Sequence, residues 1–364
     1  MPREMSQKIK TPAASGKKGA RETNASILRK SMLRRLPRRL STRAEISIAP
    51  VPGLLEHYVQ MFSGIWASMG RIFTEPETEQ FRGVLKKKLE QAYEASQYSK
   101  VIVTYETDPL PKTSLTWRVA TSISTVADEY ANWVKTRTPP LFGKHPDAKV
   151  MKLARELGVP AETTVLDIGA GTGRNTLPLA REGFPTDAVE LAPALASILR
   201  EEVEKEGLKV RVFEGDALDK TLNIPAGYYK LIVLAEVVAS HFRDIAHIRG
   251  LFEGTAEMLA PGGLLLFSAF LASDGYKPDD AARQLGQVLW CNIFTRREMA
   301  EAHEGLPFER VTDESVLEYE KEHLPAEAWP PTGWFVPWVA GQDLFDIPEN
   351  RSPVELRWLA YRRT

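Results

Sequence analysis

The sequence predicts an α/β fold built on a doubly wound, mostly parallel sheet. Between residues 165 and 268, short apolar strands alternate with amphipathic helices, and this alternation is typical of parallel strands joined by right-handed crossovers. The first of these strands runs directly into three closely spaced glycines. Because ligands of such sheets bind beyond the carboxyl ends of the strands, the pattern also predicts where a functional site lies.

The glycine-rich loop is the most specific signal in the chain. Residues 165–175 read VLDIGAGTGRN, and glycines at this spacing let a ligand approach the backbone closely. The dinucleotide pattern G-x-G-x-x-G needs a third glycine where this chain has Arg174. Asp167, just before the loop, would repel a diphosphate but suits a cofactor with an ammonium and a sulfonium group. S-adenosylmethionine is such a cofactor.

The segment VLDIGAGTG resembles motif I of the class I S-adenosylmethionine-dependent methyltransferases. The resemblance implies a Rossmann-like, seven-stranded sheet with an antiparallel last strand. It places a ribose-binding carboxylate at Glu190 and an adenine-contacting acid at Asp216. A shorter segment, Gly173 to Phe184, is similar to the tellurite-resistance type of small-molecule methyltransferase. The cofactor-binding residues that the resemblance predicts are Asp167, Gly169, Ala170, Gly171, Gly173, Arg174, Asn175, Glu190, Leu191, Asp216, Ala217 and Glu236.

Each element of the core follows from a local pattern. Apolar runs ending in an acid predict the strands, Gly183 ends the first crossover helix, and a Pro-Gly-Gly turn opens the fifth strand. After a helix at 148–157 we expect strands at 165–167, 186–190, 210–217, 230–236 and 260–268, then 309–319 and 354–361, with crossover helices at 174–182, 194–206 and 244–259 and later helices at 279–288 and 295–303.

Three regions are predicted around this core. Residues 1–45 form a basic, disordered tail, residues 46–147 a helical accessory or cap domain, and residues 148–364 the core. The accessory helices are expected near 54–72, 77–98 and 122–135, with a β-like piece at 101–105. A Trp- and Pro-rich insertion lies at about 320–350.

Side chains of the flanking regions are candidates to bind the acceptor. Tyr130, Trp133 and His145 belong to the segment that precedes the first core strand, and Tyr276 lies in a polar loop that follows the fifth. Trp334 belongs to the stiff aromatic insertion, where rings can cradle an apolar or cationic ligand. Aromatic residues at such positions also serve simply to pack one region onto another, and the sequence leaves both interpretations open.

The tail carries most of the charge asymmetry. Residues 1–43 hold 13 Lys or Arg and two Glu, whereas the whole chain has a net charge of −1. Ile27, Leu28 and Met32, with further apolar residues up to Leu40, predict one face of a short basic helix interrupted at Pro37. The sequence leaves three interpretations of the tail open: a solvated arm, a contact for nucleic acid or an anionic surface, or a targeting segment.

A single cysteine, no apolar signal peptide and no apolar run of about 20 residues predict a soluble, cytoplasmic protein.

The expected chemistry is in-line methyl transfer to a small-molecule acceptor. His241, after the fourth core strand, is the candidate general base. Methylation of the exocyclic amines of nucleic-acid bases is disfavoured, because that strand is not followed by an Asn/Asp-Pro-Pro-aromatic run. No compact metal-ligand spacing occurs, so no metal is expected. The alternatives are an RNA or protein methyltransferase that uses the tail, an inactive S-adenosylmethionine-binding module and, more remotely, a nicotinamide-dependent dehydrogenase.

Overall fold

The computed structural model describes residues 21–36, 41–108, 114–348 and 351–364. Within these ranges the α-helices are α1 (Ala25–Arg35), α2 (Leu55–Ser68), α3 (Glu75–Ala95), α4 (Val126–Thr136), α5 (Ala148–Glu156), α6 (Thr176–Arg181), α7 (Pro193–Glu206), α8 (Val237–His241), α9 (Ile245–Met258), α10 (Asp280–Val288), α11 (Arg296–His303), α12 (Val316–His323) and α13 (Phe335–Val339). The strands are β1 (Arg43–Ile48), β2 (Lys100–Thr107), β3 (Leu115–Ser122), β4 (Val165–Ile168), β5 (Thr186–Glu190), β6 (Val210–Glu214), β7 (Tyr229–Leu234), β8 (Leu259–Ala272), β9 (Ile293–Phe294), β10 (Phe308–Ser315) and β11 (Val354–Arg363).

The main sheet has the predicted architecture. Its strands follow the order β10-β11-β8-β7-β4-β5-β6, and the two-residue β9 pairs with β8. Neighbours from β8 to β6 run parallel, whereas β11 runs antiparallel to both β8 and β10. The α/β fold class, the Rossmann-like sheet and the antiparallel last strand are therefore confirmed.

The centre of the sheet is where the chain changes direction. All residues of β4 and β5 are buried, as expected for parallel strands covered on both faces. Strand β4 lies between β5 and β7, so the chain moves outward from β4 first on one side and later on the other. This reversal opens a crevice at the carboxyl end of β4, directly at the glycine loop.

One predicted core strand is too long. The strand expected at 309–319 ends at Ser315, and α12 begins at Val316. The Ser315 side chain accepts a hydrogen bond from the backbone N–H of Glu318 and caps the new helix. Val316 and Tyr319 are buried on one face of that helix, which shows that their spacing reflected a helical period.

The accessory region contains the expected helices and also a sheet. Strands β1, β2 and β3 form an antiparallel sheet in that order, of which the sequence indicated only residues 101–105. Helices α2 and α3 pack on it through a core that includes Phe62, Trp66 and Phe81. Because β1 begins at Arg43, the last residues assigned to the tail belong to this sheet.

The described part of the tail is a helix exposed along its whole length. None of the residues of α1 is buried, and the apolar side chains of Ile27, Leu28 and Met32 lie at the surface. Pro37, where the predicted helix is interrupted, and Leu40, the last apolar residue of its predicted face, lie outside the described residues. No helix in the described ranges has both the length and the apolar character required to cross a bilayer.

Candidate cofactor and acceptor site

A cavity of about 550 Å³ lies at the carboxyl ends of the central strands. Its floor is the glycine loop, and its cover comes from α4, the loop after α10 and the Trp/Pro-rich insertion. The lining residues are Val126, Tyr130, Trp133, Arg137, Phe142, Asp167, Gly169, Ala170, Gly171, Arg174, Asn175, Glu190, Leu191, Ala192, Leu195, Ala235, Glu236, Val237, Ser240, His241, Leu289, Trp290, Trp334, Trp338 and Asp343.

The three glycines of the loop have different roles. All have positive φ, but a Cβ at Gly169 would overlap Val237, and one at Gly173 would lie 2.7 Å from Leu199. These two glycines therefore allow the loop to pack against the protein itself. A Cβ at Gly171 would instead project towards Phe142, at 3.3 Å on the cavity side. Gly169 and Gly171 line the cavity and Gly173 does not, so the close backbone approach that the sequence suggested for all three glycines applies to two of them.

Buried carboxylates hold the loop and give the cavity its charge. Glu190 accepts hydrogen bonds from the backbone N–H groups of Gly171 and Ala192, at 2.7 and 2.8 Å, and burial raises the pKa of its carboxyl. Asp167 accepts a hydrogen bond of 2.6 Å from the Thr176 hydroxyl. Burial raises the pKa of Asp167 to about 6, which leaves it mostly ionised at neutral pH.

Arg174 is neutralised by two acids and is not free to bind phosphate. Its guanidinium contacts Asp147 at 2.6 Å and Glu236 at 2.9 Å. Asn175 also donates to Asp147, at 2.8 Å. Burial raises the pKa of Glu236, while Arg174 opposes that increase. Sequence reasoning missed Asp147, although its position directly before α5 is typical of a capping residue.

The charge balance of the cavity fits a cationic cofactor. Four acids and two arginines line it, so its formal charge is negative with His241 neutral. Such a lining favours an ammonium and a sulfonium, and carboxylates also accept hydrogen bonds from ribose hydroxyls. Gly169 and Gly171 line the cavity without side chains, which allows a cofactor to approach the backbone closely. The residues present therefore fit S-adenosylmethionine.

Aromatic rings enclose the other half of the cavity. The Trp133 and Trp290 ring centroids are 5.2 Å apart, and those of Trp334 and Trp338 are 5.7 Å apart. Trp338 donates its indole N–H to the backbone carbonyl of Trp290 at 3.1 Å, which ties the insertion to the loop after α10. The structure brings the candidates Tyr130, Trp133 and Trp334 to this chamber; Trp290 and Trp338 were not among the predicted site residues.

His241 lies at the edge of the chamber between two tyrosines. Its Nδ1 is 2.6 Å from the hydroxyl of Tyr98, and its Nε2 is 3.0 Å from that of Tyr130. The Trp290 ring packs edge-to-face against the imidazole at a centroid distance of 5.5 Å. Burial lowers the pKa of His241 to about 4. The ring is therefore neutral at pH 7 and cannot hold an extra proton for long.

Several predicted site residues lie away from this cavity. His145 lines a separate surface depression beside Met151 and His323, and Tyr276 packs against Phe345 with a centroid distance of 5.8 Å. Neither residue lines the cavity at the glycine loop.

The predicted adenine-contacting acid is also elsewhere. Asp216 is exposed, and its carboxylate accepts a hydrogen bond of 2.9 Å from the N–H of Leu218, closing a local turn. Its neighbour Ala217 is buried in the apolar core. Neither residue lines the cavity, and the third loop glycine, Gly173, faces Leu177 and Leu199 instead. In the described ranges, no group of three or more His, Cys, Asp or Glu residues is placed to hold a metal ion.

Comparisons with known proteins identify a methyltransferase domain. The family described as "Methyltransferase domain" matches residues 138–312. A demethylmenaquinone methyltransferase from Tropheryma whipplei (strain Twist) is 30% identical over 115 residues, covering 31% of this chain and 44% of that protein. The chain thus spans less than half of the length of this curated relative.

Solved methyltransferase structures are also similar. A putative sarcosine dimethylglycine methyltransferase from Galdieria sulphuraria is 16% identical, with a TM-score of 0.49 and coverage of 66% of this chain and 99% of that one. The geranyl diphosphate C-methyltransferase from Streptomyces coelicolor A3(2), solved with Mg²⁺, geranyl diphosphate and S-adenosyl-L-homocysteine, is 19% identical, with a TM-score of 0.47 and coverage of 60% and 78%. The glycine loop, the order of the sheet and the family match together identify residues 138–312 as a class I S-adenosylmethionine-dependent methyltransferase domain.

Proposed function

We propose that this protein transfers a methyl group from S-adenosylmethionine to a small, largely apolar acceptor. The main support is that a single cavity is lined at one end by the glycine loop and its acids and at the other end by the aromatic chamber. A donor held at the loop would face an acceptor held among the rings. The cavity volume of about 550 Å³ falls in the range of small-molecule sites.

When bound, S-adenosylmethionine supplies an electrophilic methyl group on its sulfonium. The chain contributes position and exclusion of water, which are the main sources of rate in such a displacement. Glu190 holds the loop in shape through Gly171, and the acids balance the cofactor's positive charge. The rings of Trp133, Trp290 and Trp334 cover the acceptor half of the cavity.

The lining predicts the class of acceptor. Six aromatic side chains surround the chamber, and rings of this kind favour flat, apolar partners. The relative from T. whipplei is named for methylation of demethylmenaquinone, a quinone, and an acceptor with a flat ring would suit this chamber. We therefore expect a small aromatic or quinone-like acceptor, methylated at a ring substituent or ring atom.

Transfer of labelled methyl groups tests this proposal. The protein is incubated with methyl-tritiated S-adenosylmethionine and a cell extract, and the label is counted separately in the organic phase and in the acid-precipitated macromolecules. Label in the organic phase is expected. Label confined to RNA or protein would favour a macromolecular substrate, and cofactor binding without any transfer would favour an inactive binding module. Calorimetric titration with NAD, expected to show no binding, excludes the dehydrogenase.

Deletion of the tail separates the two kinds of substrate. Helix α1 has no buried residue and contributes nothing to the cavity. We therefore expect the protein without residues 1–36 to transfer label to organic-phase products at a rate within about twofold of the wild-type rate. A change of this size corresponds to less than ~0.5 kcal/mol, the effect of a typical surface substitution. A methyltransferase that uses its basic tail to hold RNA should lose activity, and its binding should depend steeply on salt. A large loss of small-molecule transfer would contradict the proposal.

Cofactor affinity should depend on pH through Asp167. The cationic cofactor favours the ionised carboxylate, whose pKa in the free protein is about 6. Affinity is therefore expected to be full near pH 7.5 and to fall about tenfold by pH 5, as roughly nine-tenths of the carboxyl becomes protonated. Titration calorimetry at both values measures this change. The Asp167→Asn variant should bind more weakly at pH 7.5 and show a smaller pH dependence, whereas affinity that rises at pH 5 would contradict the assignment.

A further inference from the structure

Tyr98 and His241 separate the main cavity from a second depression. This depression, of about 350 Å³, is lined by Tyr98, Lys100, Glu129 and Trp290 among others, and the exposed side chain of Lys100 marks its opening to solvent. His241 lines the main cavity but not the depression, and Tyr98 lines the depression but not the main cavity. Their contact of 2.6 Å therefore crosses the wall between the two.

The hydrogen bonds through this wall can run in either direction. In one arrangement Tyr130 donates to Nε2, Nδ1–H donates to Tyr98, and the Tyr98 hydroxyl turns to the carbonyl of Ser240, 3.4 Å away. In the other, Tyr98 donates to Nδ1 and Nε2–H donates to Tyr130. Gln97 donates to Tyr98 at 3.0 Å in both cases. When one proton moves across each link, one further proton enters at Tyr130 and one leaves from Tyr98, the first arrangement becomes the second and His241 remains neutral.

We propose that Tyr130, His241 and Tyr98 form a proton relay that carries the acceptor's proton from the enclosed cavity to the solvent-open depression. The inference rests on the proposed methyl transfer and narrows its acceptor to a molecule whose nucleophilic atom is a hydroxyl oxygen. Tyr130 is the member of the relay that contacts the acceptor. His241 and Tyr98 act through it.

Methylation of a hydroxyl oxygen releases the hydroxyl proton, and this proton must leave the enclosed cavity. The hydroxyl oxygen forms a bond to the methyl carbon, and the carbon–sulfur bond breaks with its electron pair remaining on sulfur. The hydroxyl proton passes to the oxygen of Tyr130, whose own proton passes to Nε2. The Nδ1 proton moves to Tyr98, which releases a proton to water in the depression. Because the low pKa of His241 disfavours an imidazolium, the proton is passed on and not stored. The starting arrangement returns after the product leaves, when Tyr130 gives one proton to water in the cavity, the Nε2 proton moves to Tyr130, the proton shared with Tyr98 moves to Nδ1 and Tyr98 takes one proton from water in the depression.

The Tyr98→Phe variant tests the relay outside the cavity. It removes one hydroxyl but keeps the ring that packs on Trp290 at a centroid distance of 4.7 Å. With 2-naphthol as the probe acceptor, kcat is expected to fall by about a hundredfold, the size of a typical general acid–base contribution. The KM for S-adenosylmethionine and the Kd for S-adenosylhomocysteine should stay unchanged. A solvent deuterium isotope effect on kcat in the wild-type protein should change in the variant.

Tyr93→Phe is the matched control. Tyr93 lies near the end of α3, and its hydroxyl donates to Gln287 at 2.6 Å without contacting His241. Its loss should leave kcat nearly unchanged. Equal losses of kcat in both variants would mean that the hydroxyls act only through structure, and an unchanged kcat in Tyr98→Phe would overturn the relay.

A second measurement separates failure of the relay from failure of the proposed function. If 2-naphthol is not methylated, wild type and Tyr98→Phe are compared at saturating S-adenosylmethionine on the small molecules of a cell extract. Slower transfer by the variant supports the relay, and equal rates overturn it while methyl transfer itself stands. Absence of transfer to any small molecule by the wild-type protein would overturn the proposed function and the relay together.

Discussion

The Gly171→Val variant is expected to lose S-adenosylmethionine binding, with Kd raised by about a hundredfold or more, equivalent to at least ~2.8 kcal/mol. The Cβ would already lie 3.3 Å from the Phe142 ring, and the two added methyl groups fill the space between ring and loop. The Gly171 N–H also holds Glu190 at 2.7 Å, so a shift of the backbone would disturb the ribose-binding candidate. Titration calorimetry measures the loss.

Gly207→Val is the matched control for backbone strain. Gly171 and Gly207 have φ values of +57° and +65°, a region in which a β-branched residue costs about 1–2 kcal/mol or more. Nothing lies within 4 Å of a Cβ at Gly207, which ends α7 away from the cavity. Both variants should therefore lose thermal stability, but only Gly171→Val should lose the cofactor. Equal affinity losses in the two variants, or normal affinity in Gly171→Val, would contradict the site.

Sequence order was sufficient to predict that three acids at strand ends lie together in one cavity. The parallel strands β4, β5 and β7 end at one edge of the sheet, so acids at or just after these ends meet regardless of what surrounds the core. Asp167, Glu190 and Glu236 all line the cavity for this reason. Asp216 shows the limit of the argument, because β6 is the edge strand and its following turn uses the carboxylate locally.

The aromatic half of the cavity was predicted only in part, through Tyr130, Trp133 and Trp334. Tyr98 contacts His241 across 143 positions of the chain, and this contact depends on how the accessory region docks onto the core. No local period marks Trp290, which has an unusual φ of +62° and lies between α10 and β9. Strands β1 and β3 were missed because their burial is incomplete along most of their length. Such contacts are set by tertiary packing and leave little trace in neighbouring residues.

The Arg174→Met variant is expected to lower the free energy of unfolding by about 3–5 kcal/mol, because it leaves buried carboxylates without their partner. The side chains of Arg174 and Asp147 are only 8% and 4% exposed, and that of Glu236 is 20% exposed. Methionine fills a similar volume, so the loss reports charge and hydrogen bonding more than packing. Urea denaturation followed by tryptophan fluorescence measures the change.

Arg181→Met provides the comparison at the surface. Arg181 pairs with Glu206, but its side chain is 50% exposed, and exposed pairs contribute only about 0–1 kcal/mol. Its replacement should shift the denaturation midpoint little. Similar losses in the two variants would show that the Arg174 cluster contributes no more than a solvated ion pair.

The stability deficit of Arg174→Met is the free energy of unfolding that the variant loses relative to wild type, and its pH dependence identifies its cause. Arg174 lowers the pKa of Glu236 against the effect of burial, so without the guanidinium the folded-state pKa of this carboxyl should rise further above its unfolded value. The folded variant then binds more protons than the unfolded chain, and its stability should increase as the pH falls through that raised pKa. The deficit relative to wild type is therefore expected to shrink between pH 7.5 and pH 5. A deficit that stays constant would indicate lost packing and not an unpaired buried charge.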